Sequence, residues 1–115
     1  MKKEENKYKD MIEVYKQKLE KNPEEQRTRN LLAFAYLNDG RIDDARRELV
    51  YLIEKNKNFT AYRQIMYLEK LHGDIEDAEL YGLDALEKFP DDKRIKKQLE
   101  DIYKFKQVKA KYQER

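Results

Sequence analysis

Apolar residues along the chain recur at intervals of three and four, and no stretch of useful length alternates with period two. Tyr8, Met11, Ile12, Tyr15 and Leu19 form one stripe, which predicts a helix over about residues 4–21. Leu31, Leu32, Ala35 and Tyr36 predict a second helix, and Ile42, Ala45, Leu49, Leu52 and Ile53 a third. Phe59, Tyr62, Ile65, Met66 and Leu68 predict a fourth, and Ile75, Ala78, Leu83, Ala85 and Leu86 a fifth. Ile95, Leu99, Ile102, Phe105, Val108 and Tyr112 stripe a long final helix. The residues between the stripes agree with them. Asn22-Pro23 divides the first helix from the second, since proline suits a first turn but not a helix interior. Gly40 and Gly73 each follow a stripe, where a glycine can take the left-handed cap conformation. Asp91 or Asp92 is placed to cap the last helix. The pattern is all-α.

The helices also repeat. Gly40 and Gly73, Ile42 and Ile75, and Ala45 and Ala78 are each 33 positions apart. Recurrence at such a period marks a stack of like units, each burying its apolar face against its neighbours. Short connections force consecutive helices to lie antiparallel and adjacent. The expected architecture is therefore a right-handed α-α superhelical stack of about six helices, not a closed bundle. Ala45 and Ala78 are expected at helix-helix contacts, where a larger side chain would push the pair apart.

Composition narrows the picture. The chain has 115 residues, 43% charged and 39% apolar, which suits a single domain of amphipathic helices. Its net charge of +2 is too small to identify a nucleic-acid binder. The absence of cysteine excludes disulfides and thiolate chemistry and fits a reducing, cytoplasmic setting. No apolar run approaches the ~18 residues of a membrane span. The opening MKKEENKYKD has basic residues without a following apolar stretch, so no secretion signal is read there.

With these features the sequence resembles the tetratricopeptide repeat family, whose pattern runs W-x2-L-G-x2-Y, then A-x3-F, then P. In a first unit, residues 26–58, the pattern falls on Arg29, Leu32, Ala33, Tyr36, Ala45, Leu49 and Lys57. In a second, residues 59–92, it falls on Tyr62, Ile65, Met66, Glu69, Ala78, Gly82 and Pro90. Residues 4–22 match the second-helix half of a preceding unit through Met11, Tyr15 and Pro23, and residues 93–113 supply a closing helix with a basic extension. Arg29 replaces the large aromatic, Glu69 the tyrosine and Gly82 the phenylalanine, and the hairpin loop before Gly73 is one residue shorter than that before Gly40.

The resemblance implies a protein-protein interaction module, an adaptor or chaperone-like scaffold whose first helices line a concave groove for a peptide or helical segment. Carried over by position, the groove presents Arg27, Asn30, Phe34, Leu37 and Asn38 from the first unit. Thr60, Arg63, Tyr67 and Lys70 come from the second, and Arg94, Lys97 and Asp101 from the final helix. The family's carboxylate-gripping groove needs lysines and asparagines at fixed places. Here Phe34 stands at one asparagine place and Asn30 at one lysine place, so that specificity is not expected.

Phe34 and Tyr67 among arginines have the composition of a binding hot spot. Residues 93–115 hold nine basic and three acidic residues, a local +6. Such charge could bind phosphates, but it also complements a helix C-terminus and keeps a closing helix polar outside, so nucleic acid is not the expected partner. Asp43-Asp44, Glu76-Asp77 and Asp91-Asp92 each open a helix, where carboxylates stabilise free backbone amides. His72 is the only histidine and completes no metal site. No nucleophile elbow, phosphate-cradling loop or metal-ligand spacing occurs, so no enzyme, cofactor or metal is expected. Phe105, Val108 and Tyr112 continue an apolar stripe beyond the turns a closing helix requires. That leaves a self-assembling structural protein, a homodimer through the C-terminal helix, as the second reading.

Overall fold

The computed structural model describes residues 2–113, with side chains from residue 7. Arg115 and Glu114 of the basic extension lie outside the described residues. Six helices follow in order: α1 Lys2–Lys21, α2 Gln26–Asn38, α3 Ile42–Asn56, α4 Phe59–His72, α5 Ile75–Lys88 and α6 Lys93–Gln113. No strand occurs among the described residues. The chain forms two compact units, Met1–Gln64 and Ile65–Arg115, with the division falling inside α4.

In the N-terminal unit α1 packs on α2, and α2 on α3. Ile12 and Leu19 of α1, Leu32, Ala35 and Tyr36 of α2, and Ala45, Leu49, Leu52 and Ile53 of α3 are buried. Ala35 and Ala45 have no exposed surface at all, which is what a close approach of helix backbones demands. Pro23 lies in the turn between α1 and α2, ahead of the first turn of α2 rather than in it. The α2–α3 turn closes as a Schellman motif: Gly40 N–H donates to the Leu37 carbonyl at 3.2 Å and Arg41 N–H to the Tyr36 carbonyl at 2.8 Å. That geometry needs a left-handed residue, and Gly40 supplies it at φ +79°. Arg41 then stacks over the Tyr36 ring, 4.7 Å from its centroid, and binds Asp44 at 2.8 Å. Burial, partly offset by Arg41, pushes the Tyr36 hydroxyl pKa up. Helix α3 ends on Lys57, also left-handed at φ 50°, and Asn58 caps α4 by accepting the Ala61 N–H at 2.8 Å.

In the C-terminal unit Ile65, Met66 and Leu68 of α4, Ile75, Ala78 and Ala85 of α5, and Ile95, Leu99 and Ile102 of α6 form the core. Here the turn between α4 and α5 is built differently from the expectation. Gly73 does not have positive φ. With only Gly73 and Asp74 between the helices, the left-handed step is dropped, and Asp74 caps α5 by accepting the Glu76 N–H at 2.8 Å. Leu83, placed in the core by the sequence pattern, is 46% exposed. The inward face of α5 is instead Ile75, Ala78, Gly82 and Ala85, one position back from Leu83, because a residue without a side chain occupies the buried place. A Cβ on Gly82 would lie 2.5 Å from Leu99 Cδ2 and 2.8 Å from Met66 Cε. The close approach of α6 to α5 therefore depends on Gly82. Asp92, the second of the two aspartates, caps α6 by accepting the Arg94 and Ile95 N–H groups at 2.9 and 3.1 Å.

Candidate functional site

The first-helix residues expected to meet a partner fall in both units. In the N-terminal unit, Arg27, Asn30, Phe34 and Leu37 follow one another at intervals of three and four along α2, and Asn38 stands four residues after Phe34, so they share a face. Phe34 is 46% exposed, an aromatic ring left in water by its own hairpin. Asn30 is engaged within the fold. Its amide donates to Asn58 Oδ1 and Gln64 Oε1, both at 3.1 Å, and its carbonyl accepts from Gln64 Nε2 at 3.2 Å. With Asn58 Nδ2 donating to Gln26 at 2.8 Å, this amide network ties α2 to the start of α4. Asn38 donates back to the Phe34 carbonyl at 2.9 Å, Arg27 is exposed, and Leu37 and Arg63 are half-buried.

In the C-terminal unit the structure brings Tyr67 and Lys70 of α4 together with Asp101 of α6. They line a notch of about 170 Å³ with Met66, Gln98 and Ile102. Met66 and Ile102 are almost fully buried and form an apolar floor, while the 53% exposed Tyr67 stands at the rim. Lys97 reaches the notch through Asp101, 3.5 Å away. Arg94 is directed elsewhere, to Asp92 at 3.2 Å, where it supports the α6 cap. Partial desolvation pushes the Asp92 carboxyl up, but the Ile95 N–H and the Arg94 guanidinium outweigh it and hold the pKa below the usual aspartate value. Lys70 also lies 5.9 Å from the centroid of the Phe105 ring.

Gln98 and the two floor residues were not among the expected binding residues. Met66 and Ile102 read as core, which they are, since only their edges face the notch. Gln98 carried a signal: it sits between Ile95 and Ile102 at helical spacing, a polar residue beside a buried face.

Arg29 stands where the family pattern has a large aromatic, and it fills the place by other means. Its guanidinium lies 4.1 Å from the centroid of the Tyr51 ring, pairs with Glu48 at 2.7 Å and donates to the Pro23 carbonyl at 2.9 Å. A planar cation stacked on a ring and forked between acceptors holds α2, α3 and the preceding turn together. Glu69, at the tyrosine place of the second repeat, is buried at 4% exposure, and no buried side-chain nitrogen or oxygen lacks a hydrogen bond among the described residues.

Among the described residues no cluster of histidine, aspartate and glutamate could hold a metal ion. No helix among them is long and apolar enough to cross a membrane. A family model described as tetratricopeptide repeat matches residues 3–66, from α1 into α4. No curated protein and no solved structure matches the chain. The family match spans more than half of the chain, over helices joined by short turns and packed through buried alanines, and the protein belongs to the tetratricopeptide repeat family.

Proposed function

We propose that the protein is a non-catalytic adaptor that binds a segment of a partner protein through exposed residues of its first helices, α2 and α4. Tetratricopeptide repeats generally mediate protein-protein interaction, and the notch at Tyr67 carries the more specific reading. An apolar floor with a polar rim suits one apolar anchor side chain, with Lys70 and Asp101 at the polar edge beside it. Phe34 offers a second apolar contact on α2. A protein partner is favoured over nucleic acid because several basic groups of α6 already have carboxylate partners: Arg94 with Asp92, Lys97 with Asp101, and Lys106 with Glu76 and Glu79. A cytoplasmic setting accompanies this reading, in keeping with a cysteine-free sequence.

Selection of peptides from a displayed library against the full chain tests it. Selected peptides should lose at least tenfold in affinity for Tyr67→Ala, lose a smaller factor for Phe34→Ala, and ignore Leu80→Ala. Peptides whose binding is unchanged in a folded Tyr67→Ala, Phe34→Ala double variant would remove the site from these faces.

Self-assembly is the second reading. The exposure of Val108 and Tyr112, 54% and 69% on the last turns of α6, favours it.

A further inference from the structure

Two apolar surfaces of the C-terminal unit carry opposite charge. The first is the outward side of α5, where Leu80 is 65% and Leu83 46% exposed. Asp77 lies one turn before this pair and Glu87 one turn after it, both exposed. A shallow depression opens beside Leu80, against Asp77 and Tyr81. The second surface is the end of α6. Val108 and Tyr112 stand one turn apart on one face, with exposed Lys109 and Lys111 beside them.

The register of α5 on α6 separates the two surfaces within one chain. Gly82 meets Leu99, and Lys106 reaches Glu76 and Glu79 at 3.0 and 2.9 Å, so the helices run antiparallel. Because α5 begins at Ile75, the residues of α6 after Lys106 overhang its N-terminal end. The overhang points away from Leu80 and Leu83 and leaves them uncovered in their own chain. At the α-helical rise the overhang from Gln107 to Gln113 is about 9 Å long, enough to span the Leu80–Leu83 pair, about 4.5 Å apart along α5.

We propose that the α6 overhang of one copy docks on the outer face of α5 of a second copy, and that the exchange is mutual. The contact is then made twice in an isologous dimer, with leucines against Val108 and Tyr112 and carboxylates against lysines. This rests on the self-assembly reading and names the surface that receives the helix. Since the charges are exposed, the dimer should weaken as salt rises.

Sedimentation equilibrium of the full chain over a wide concentration range, with two charge-reversed variants, tests the proposal. Asp77→Lys with Glu87→Lys alters the receiving face, and Lys109→Glu with Lys111→Glu alters the overhang. Each variant alone should weaken the dimer at least tenfold. An equimolar mixture should restore it, because both contacts of the mixed dimer again join opposite charges. If either variant loses its helical circular dichroism, Leu80→Ser and Val108→Ser replace them, each with the same expected weakening. A wild-type chain that stays monomeric throughout overturns the proposal and the self-assembly reading together. A dimer sensitive to the overhang but indifferent to the α5 face overturns the proposal and leaves self-assembly standing. Loss in both variants without recovery on mixing overturns the direct pairing, as would a monomer whose overhang holds a different protein.

Discussion

The hairpins α2–α3 and α4–α5 are written on one 33-residue pattern, yet they meet its positions with different chemistry. Where α3 buries Leu49 at 1% exposure, α5 has Gly82, with Leu99 of α6 in the space a side chain would fill. Where α2 turns through a left-handed Gly40, α4 turns through Gly73 without positive φ and relies on Asp74 as a cap. Where α2 has Tyr36 under the Arg41 guanidinium, α4 has a buried Glu69. A repeat position is therefore a place in a contact surface, and the residue in it answers to whatever packs there. Gly82 shows this most clearly, because Leu99 of the following helix lies where its side chain would be.

Exchanging the two solutions should break the comparison most strongly. Leu49→Ala removes a buried side chain and should cost about 2–5 kcal/mol. Gly82→Phe, which restores the family residue, should also destabilise, by about 1–3 kcal/mol or more, because Leu99 and Met66 must move. Denaturant unfolding of both variants checks this. A Gly82→Phe variant as stable as the parent would mean that α6 does not depend on the glycine. Ala45→Leu and Ala78→Leu should each lose about 1–3 kcal/mol by the same overpacking, both alanines having no exposed surface.

A smaller contrast separates the turns. Gly40→Ala should cost about 1–2 kcal/mol, since an L residue resists the left-handed region. Gly73→Ala should cost clearly less. Lys57, a left-handed lysine at the end of α3, gives the converse test: Lys57→Gly should stabilise by up to about 1 kcal/mol. Equal losses from Gly40→Ala and Gly73→Ala would show that the two turns share a strain the backbone angles do not reveal.

The smallest effect is that of pH. Hydrogen bonding from Arg41, with help from Arg47, holds the Asp44 carboxyl below its ordinary value of 3.8. Asp92 is also lowered. A carboxylate whose folded pKa is depressed contributes its stability above the unfolded value and loses it as pH falls through the folded one. The thermal midpoint should therefore drop below about pH 3.8, and by less in Asp92→Asn than in the parent. A midpoint that stays level down to pH 2 would contradict both assignments.

Much of this structure was legible in the sequence because helix stripes and a 33-residue period are local signals. The six helices, the buried Ala45 and Ala78 and the exposed end of α6 all follow from spacing alone. What escaped depended on contacts between distant residues. The stripe puts Leu83 in the core in place of Gly82 because a glycine adds nothing to an apolar pattern, although α6 turns its absence of side chain into a contact. Gly73 stands at the repeat position of Gly40, but a loop one residue shorter leaves no place for the left-handed step. Asn58 belongs to no apolar stripe, and its role as a cap appears only with Ala61 and Asn30 in place. The exposure of Phe34 and Tyr67 follows from their spacing off the core stripes, whereas Gln98 and the floor of the notch required α4 and α6 to be seen together.

Nuclear magnetic resonance chemical-shift mapping tests the functional account most directly, with the uniformly labelled full chain titrated by a peptide selected for binding. The largest perturbations should fall on Tyr67, Lys70, Gln98 and Asp101, with a weaker set on α2 around Phe34. Perturbations confined to α1, or to the outer face of α5 around Leu80 and Leu83, would contradict it.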